Sequence, residues 1–345
     1  ASKLYHGIFA MRVGVIGASG AVGRELVDVL GRRAFPMTSL RLFASARSAG
    51  TKIKTPLGEA EIEPFSDAAM RDLDLALLAV SGDFAKAHAP AMVAAGVHVV
   101  DNSSAFRLQD DVPLVVPEVN AGAIGKAKLI ANPNCTTAIT LMALYPLHKA
   151  FGVKRIFASS YQAVSGTGAK AIEELEKQVG QIVRGEPVTR EVYPHQIAFN
   201  VLPQVDSFLA SGYTKEEMKL ENEGRKIMHH PGFKASVTCV RVPVYRSHSV
   251  AVSAEFEKPI TVEAARAVLL QAPGLDVVDN PSASQYPMPL HTSEKDNCAV
   301  GRLRMDCALD NGLAFWICGD QLLKGAALNA VQIAEELLRC GKLKA

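Results

Sequence analysis

Cysteine pairs, long apolar runs and a charge excess are all missing from this chain of 345 residues. No apolar stretch approaches the roughly 20 residues that a bilayer-spanning helix needs. Val13–Gly17 and Leu73–Val80 are only strand-length, which argues against a membrane partner. The six cysteines, at 135, 239, 298, 307, 318 and 340, form no CxxC pair, and no secretory stretch is legible. Reduced thiols in a cytosol-like compartment are therefore expected, with neither a disulfide framework nor a metal site. The expected location is the cytoplasm, or a plastid for a plant or algal source. Net charge is only +2, too small to point to nucleic acid or a membrane surface. Internal repeats and low-complexity tracts are absent as well.

What is present is an ordinary globular balance, 48% apolar and 21% charged, in a chain long enough for two domains. Residues 1–10 carry no glycine fingerprint and read as a cloning remnant, a short extension or the end of a processed targeting peptide. From Met11 to about Asn132, strands alternate with helices: strand Arg12–Gly17, helix Gly20–Arg32, strands Ser39–Ala44 and Leu73–Val80, helix His88–Ala95 and strand His98–Asp101. Such alternation implies an α/β unit with a parallel sheet covered on both faces. Beyond Asn134 the expectation is a helix to about Phe151, strand Lys154–Gln162, helices Gly168–Val183 and Lys215–His229, and strands Ala235–Val244 and Ser249–Glu257. Glu186–Gly212 shows little periodicity. Ala299–Leu309 and Leu313–Cys318 flank the turn signal Asp310-Asn311-Gly312, and a helix Gln321–Arg339 closes the chain. This half reads as α+β with a mostly antiparallel sheet.

Gly17-Ala18-Ser19-Gly20-Ala21-Val22-Gly23 joins the first strand to the first helix. Small residues there let the backbone approach a pyrophosphate seated on the helix N-terminus, and the unit is expected to be Rossmann-like. An NAD site places an acid at the end of the second strand. Thr38–Lys54 contains none, but has Arg41, Arg47, Lys52 and Lys54. In Ser45-Ala46-Arg47-Ser48 a guanidinium and two hydroxyls suit a 2′-phosphate, so NADP is the expected cofactor; the bland alternative is a solvated basic loop.

Asn132-Pro133-Asn134-Cys135-Thr136-Thr137 leads into an apolar helix. A cysteine at a helix N-terminus has its thiolate stabilised by the dipole and free amides, which can also hold a developing oxyanion. Cys239, Cys307 and Cys318, in apolar strand patterns, read instead as buried structural thiols. A nucleophilic thiol beside a dinucleotide unit suggests thiohemiacetal formation, hydride transfer and a thioester that exchanges with phosphate. Such a scheme needs an acid/base. His248 lies between two strand patterns, but the residues alone do not single it out among nine histidines.

Further segments complete a pattern. They are SARSAG at Ser45–Gly50, NSSAFR at Asn102–Arg107, YQAVSG at Tyr161–Gly166, ENEGRKI at Glu221–Ile227, RVPVYRSHS at Arg241–Ser249 and DQLLKGAALN at Asp320–Asn329. Together with the glycine loop and NPNCTT, in this order, they make the chain resemble the aspartate-semialdehyde dehydrogenase family from Met11 to about Leu338. The resemblance implies Cys135 as acyl-thioester nucleophile, His248 as acid/base and Gln162 as a substrate-positioning group. It further implies substrate contacts from Arg241 (carboxylate), Glu223 (ammonium), Arg107 and Lys226 (phosphate) and Asn134. Cofactor contacts would fall on Gly17, Ser19, Gly20, Ala21, Val22, Arg47, Ser48, Ser81, Ser165, Gly166 and Gln321. It also implies an NADP-binding domain of 11–133 with 321–345, and a catalytic and dimerisation domain of 134–320. The implied reaction is NADPH-dependent conversion of L-aspartyl-4-phosphate to L-aspartate 4-semialdehyde and phosphate, serving lysine (through diaminopimelate), threonine, methionine and isoleucine biosynthesis. A homodimer or homotetramer is implied, with no nucleic-acid or membrane partner. Two departures are visible: Thr136 where many members have Ser, and Gly224 where Thr is frequent, which loosens a helix by about 1 kcal/mol. The rival readings are an N-acetyl-glutamyl-phosphate reductase and a non-catalytic nucleotide-binding paralogue.

If Arg47 holds a 2′-phosphate, Arg47→Ala raises the KM for NADP(H) and leaves any NAD(H) activity nearly unchanged. The loss expected for one charged hydrogen bond is roughly 1.5–3 kcal/mol. Equal use of both cofactors by the unaltered enzyme would refute this assignment.

Overall fold

The computed structural model describes residues 11–343, so the reading of residues 1–10 lies outside the described residues. The chain divides into two compact units, one running to Pro133 and resuming at Ala326, the other Asn134–Gly325. The division falls at 326 and not at the expected 321, because the 321–325 stretch is tied within the second unit. There Asp320 Oδ1 accepts the N–H of Leu322 (2.9 Å), and Gln321 Oε1 accepts the N–H of Ser247 (2.7 Å). No helix among the described residues is long and apolar enough to cross a membrane.

Seven strands are described in the first unit, and the inner ones are short apolar runs buried on both faces. The seven are β1 (Arg12–Ile16), β2 (Ser39–Ala44), β3 (Lys52–Thr55), β4 (Gly58–Pro64), β5 (Leu75–Leu78), β6 (His98–Asp101) and β7 (Leu129–Ala131). Their order is β3-β4-β2-β1-β5-β6-β7, parallel except for β3 against β4. Helix α1 (Ala21–Arg32) follows β1 and α2 (Gly82–Ala94) follows β5. The chain moves from β1 to β2 on one side and later to β5 on the other. The C-terminal end of β1 is thus a topological switch point, where α/β sheets bind nucleotides. The terminal helix Leu328–Arg339 packs on α1 and β6. It is preceded by a π-helical turn, Leu323–Ala327, so the expected single helix from Gln321 is two elements. The β3–β4 hairpin escaped the sequence reading because its strands, KIKT and GEAEIEP, are charged and largely exposed. Helix α2 begins well before the expected His88, capped by the Ser81 hydroxyl, which accepts the Phe84 N–H at 3.3 Å.

The second unit is organised around α3 (Cys135–Phe151), apolar on nearly every side and buried from Thr136 to Leu144. Strands β8 (Val153–Gln162), β9 (Lys234–Arg241), β10 (His248–Phe256), β11 (Leu275–Val277), β12 (Cys298–Met305) and β13 (Gly312–Gly319) form one sheet in the order β11-β12-β13-β10-β8-β9. The three central pairings are antiparallel and the two edge pairings, β11–β12 and β8–β9, are parallel. Helices α4 (Ala169–Val183), α5 (Lys215–Ile227) and α6 (Val262–Leu269) complete the unit, with α3 packed against β8, β10, β12, β13, α5 and α6. On the opposite side of β8, Phe157 and Tyr161 are exposed. Cys239 and Cys318 are buried, and burial pushes their thiols up to about 12 and about 11. Cys307, expected to be buried, is exposed because β12 ends at Met305, before it.

Helix α5 starts with a capping box: Thr214 Oγ1 accepts the Glu217 N–H (3.3 Å) and Glu217 Oε2 accepts the Thr214 N–H (2.6 Å). The other oxygen of Glu217 accepts the Cys239 N–H of β9 at 2.9 Å. Glu217→Ala removes the cap and orphans a buried strand donor, so the urea midpoint should fall with a loss of about 2–3 kcal/mol. Denaturation unchanged by the substitution would mean that the α5 start does not depend on this carboxylate.

Candidate active site

Asn134 is the N-cap of α3 and Cys135 its first helical residue, so the thiol sits where unpaired helix amides and the positive dipole end converge. Asn134 Oδ1 accepts the Thr137 N–H at 3.2 Å. Two buried carboxylates on one face of α5, seven residues and so about two turns apart, meet the same residue. Glu223 Oε2 accepts the Asn134 backbone N–H (2.7 Å) and Glu216 Oε1 accepts from Asn134 Nδ2 (2.9 Å). Glu216 Oε1 also accepts from Gln162 Nε2 (3.0 Å), and its second oxygen meets Lys219 Nζ at 2.7 Å. Burial alone would raise the Glu216 carboxyl, but Lys219 and the two side-chain amides outweigh it and bring the pKa down to about 2. Because an ionised carboxylate takes only donors, Glu216 fixes which end of the Gln162 amide faces it. The other end, Oε1, is buried without a hydrogen-bond partner.

Strand register brings the remaining groups to one end of the second sheet. Parallel β8 and β9 align Gln162 with Arg241, and antiparallel β10 pairs Ser249 with Tyr161, so His248 begins β10 where β8 ends. Ala163, the next residue after β8, joins two of them. Its N–H donates to His248 Nδ1 (3.1 Å) and its carbonyl accepts from Arg241 Nη1 (2.7 Å). Burial, followed by the charge of Arg241, lowers the His248 pKa to about 3, against a weaker opposing pull from Glu216. The ring is neutral at ordinary pH. With Nδ1 accepting, its proton resides on Nε2, a donor position. Arg241 Nε is buried without a partner, which leaves one edge of the guanidinium fork open.

Before His248 the backbone is held tightly. Ser247 adopts φ +76, donates its N–H to Gln321 and pairs its hydroxyl with Thr292 Oγ1 at 2.6 Å. The other end of the Gln321 amide bonds the Ser165 hydroxyl. Gly166 lies against this cluster: a Cβ there would meet Arg241 Nη1 at 3.0 Å and the His248 ring at 3.2 Å. Gly325 approaches Cys135, since its Cβ would fall 2.7 Å from Cys135 Cβ. Lys226 is half-buried in the last turn of α5. Cys135, Asn134, Gln162, Glu223, Lys226, Arg241, His248, Ser165, Gly166 and Gln321 thus all belong to the second unit.

The other expected site residues belong to the first unit. Gly17 has φ +89, and a Cβ there would come within 2.1 Å of the Ala79 carbonyl oxygen; only glycine fits. Ser19 and Gly20 complete the turn, and Ala21 and Val22 open α1, whose N-cap Gly20 offers no side chain and whose first turn has no acid. A bare, positive helix end of this kind suits a pyrophosphate. Among the loop cations, Arg41 is bound to Glu63 (Nε–Oε1 2.9 Å) and Lys52 to Glu59 (3.1 Å), whereas Arg47, beside Ser48, is exposed. These residues fit NADP. Arg107 is buried and donates to the carbonyls of Asn132 (2.9 Å) and Asn102 (2.8 Å).

Two family models match: the NAD-binding domain of semialdehyde dehydrogenase over residues 12–127, and its dimerisation domain over 144–324. Aspartate-semialdehyde dehydrogenase of Aquifex aeolicus is 46% identical over 96% of this chain and 98% of its own length. The chain belongs to the aspartate-semialdehyde dehydrogenase family. Among solved structures, aspartate semialdehyde dehydrogenase II of Vibrio cholerae superposes with a TM-score of 0.92 at 39% identity, covering 96% of this chain and 99% of that one. It is known also complexed with ASA. A Candida albicans aspartate semialdehyde dehydrogenase with NADP matches at 0.72 and 25% identity, over 95% and 98%. In this member of the family, sequence reasoning missed Glu216, Lys219 and Gly325. Lys215-Glu216-Glu217-Met218-Lys219 looks like a solvated helix start, and only its place behind the capping Thr214 hints that one face is buried.

Glu216 also sets a pH dependence. A carboxyl depressed from 4.5 to about 2 contributes stability that is complete above pH 4.5 and is lost as pH falls towards 2. The shift corresponds to about 3 kcal/mol. Glu216→Gln should flatten the fall in urea midpoint between pH 5 and pH 2; a variant that keeps the wild-type slope would place the titration elsewhere.

Proposed function

We propose that this chain interconverts L-aspartyl-4-phosphate and L-aspartate 4-semialdehyde, with NADP as cofactor and a thioester on Cys135. The observation that carries the reading is the open edge of Arg241 on the strand pair that also meets a buried acid: Arg241 Nε has no partner, its register partner Gln162 donates to Glu216, and Glu216 and Glu223 both meet the residue preceding the thiol. A guanidinium edge suits a carboxylate bidentately, and buried acids suit an ammonium. The free amino acid carries both groups on one carbon.

In this reading the Cys135 thiolate attacks the carbonyl carbon while α3 amides and His248 Nε2–H take up charge on the oxygen. This is a narrower part than the acid/base role the resemblance implies. NADP, when bound, supplies the hydride acceptor in one direction and the donor in the other. Phosphate, held by Arg107 and Lys226, enters as the nucleophile that releases the acyl group from sulfur, or leaves as the acyl phosphate reacts. Gln162 offers its unpartnered Oε1 to the substrate. Gly17, Ser19–Val22, Arg47, Ser48, Ser81, Ser165, Gly166 and Gln321 serve the cofactor. The reaction belongs to cytoplasmic amino-acid biosynthesis. A second copy of the chain covers the exposed side of β8, where Phe157 is 48% and Tyr161 37% exposed, making a homodimer.

The test is phosphate-dependent NADP reduction with aspartate semialdehyde beside N-acetyl-glutamate semialdehyde. N-acetylation removes the ammonium that Glu223 would meet and adds bulk at the same carbon, so the free-amino substrate should be preferred by at least ~10³ in kcat/KM. Cys135→Ser should lose turnover by orders of magnitude, and Arg241→Lys should mainly raise the substrate KM. Equal rates with the two aldehydes would move the chain to the reductase reading, and a serine variant retaining a tenth of the activity would end the thioester mechanism.

A further inference from the structure

Residues 184–213 contain neither helix nor strand, yet buried side chains of α4 hold their backbone. Glu174 accepts the N–H groups of Glu191 (2.6 Å), Val192 (2.5 Å) and Tyr193 (3.3 Å). Gln178 Oε1 accepts those of Ile197 (2.9 Å) and Ala198 (3.0 Å). Glu174 is 5% exposed and Gln178 is fully buried. Two polar side chains that deep, both directed to backbone donors, give an irregular segment a defined course. Ile197 and Ala198 join Val164, Ala171, Leu175 and Leu202 in a small apolar core beneath it.

The segment carries Tyr193 onto the turn after β8. Its hydroxyl lies 2.9 Å from Thr167 Oγ1 and 3.4 Å from the Val164 carbonyl oxygen. Those residues begin and end the turn Val164–Thr167, and Ala163 directly precedes it. Ala163 O is the hydrogen-bond acceptor of the Arg241 guanidinium. Strands hold both backbones, Arg241 in β9 and His248 in β10, but the short His248 ring follows a backbone also pinned by the Ser247–Gln321 and Ser247–Thr292 bonds, whereas the long guanidinium side chain has many rotamers to lose its place to. Loss of the turn's position would therefore fall first on Arg241.

We propose that Tyr193 is a positioning residue for substrate recognition: its hydroxyl seats the 163–167 turn so that Ala163 holds Arg241 with its Nε edge open to a carboxylate. The role rests on the reading of Arg241 as the carboxylate clamp. If Tyr193 only fills the small core, Phe would serve as well, because the ring is kept and only the hydroxyl is lost.

The experiment compares wild type, Tyr193→Phe, Thr167→Val and the double variant at saturating NADP and phosphate. The readouts are the KM and kcat for L-aspartate semialdehyde and backbone hydrogen exchange across 161–168. Tyr193→Phe should raise KM about 3- to 10-fold, the effect of one hydrogen bond, while kcat changes less than about 2-fold. Thr167→Val should act in the same direction, and the double variant should be no worse than the stronger single one, since both remove one shared contact. Exchange across the turn should quicken in every variant. A Tyr193→Phe enzyme with wild-type KM, beside an active wild type, overturns the proposal even if its Tm falls. A wild type without phosphate-dependent turnover overturns the functional reading instead. The tether is then judged by exchange alone: unchanged exchange in Tyr193→Phe overturns it and faster exchange supports it.

Discussion

The peptide groups of Ala163 hold the candidate site together. One neutral backbone residue donates to His248 and accepts from Arg241, so a single turn sets the orientation of a ring and of a guanidinium. Neither side chain could be placed by a surface loop with comparable accuracy, because a rotamer-rich arginine costs conformational entropy to immobilise. The turn is in turn fixed by β8, which ends immediately before it, and by the bonds of Val164 N–H to Val244 O (2.8 Å) and Gln321 to Ser165. The mixed pairing of the sheet matters here. A parallel neighbour brings the end of β9 beside the end of β8, and an antiparallel neighbour brings the start of β10 to the same level.

Charge burial imposes the second constraint. An isolated carboxylate as deep as Glu216 would neutralise itself. It stays ionised because Lys219 and two side-chain amides face it, and in doing so it orients both amides. Glu223 does the equivalent for the Asn134 backbone. In the proposed reaction the groups that fix the surroundings of Cys135 are also the ones that read the substrate's ammonium. The open atoms, Arg241 Nε and Gln162 Oε1, are of opposite hydrogen-bonding sense. A dipolar ligand would satisfy both, whereas an apolar one would leave two buried polar atoms orphaned.

Much of the first unit was legible because its inner parallel strands are short apolar runs and its glycines stand at a strand-to-helix turn. The β3–β4 hairpin was not, since charged edge strands carry no hydrophobic period. In the second unit the helix beginning at Cys135 and the hairpin at Asp310-Asn311-Gly312 announce themselves through a capping asparagine and a turn signal. Cys307 was misjudged because apolar composition continued past the point where pairing stopped. Glu186–Gly212 reads as aperiodic and forms no helix or strand, but nothing in its own composition reveals that Glu174 and Gln178 hold it.

By itself the sequence determined the nucleotide loop, the cysteine at a helix start, the absence of an acid after β2 and, through ordered motifs, the family. Those are local properties, set by residue type within a few positions of chain. Tertiary structure alone decided that Gln162, Arg241 and His248 share one sheet end, that Glu216 is buried and ionised, and that His248 presents Nε2–H. Each depends on register between strands distant in sequence and on how deeply a charged group is taken from water. A period of two or 3.6 residues records neither quantity, because both arise only when separate segments pack.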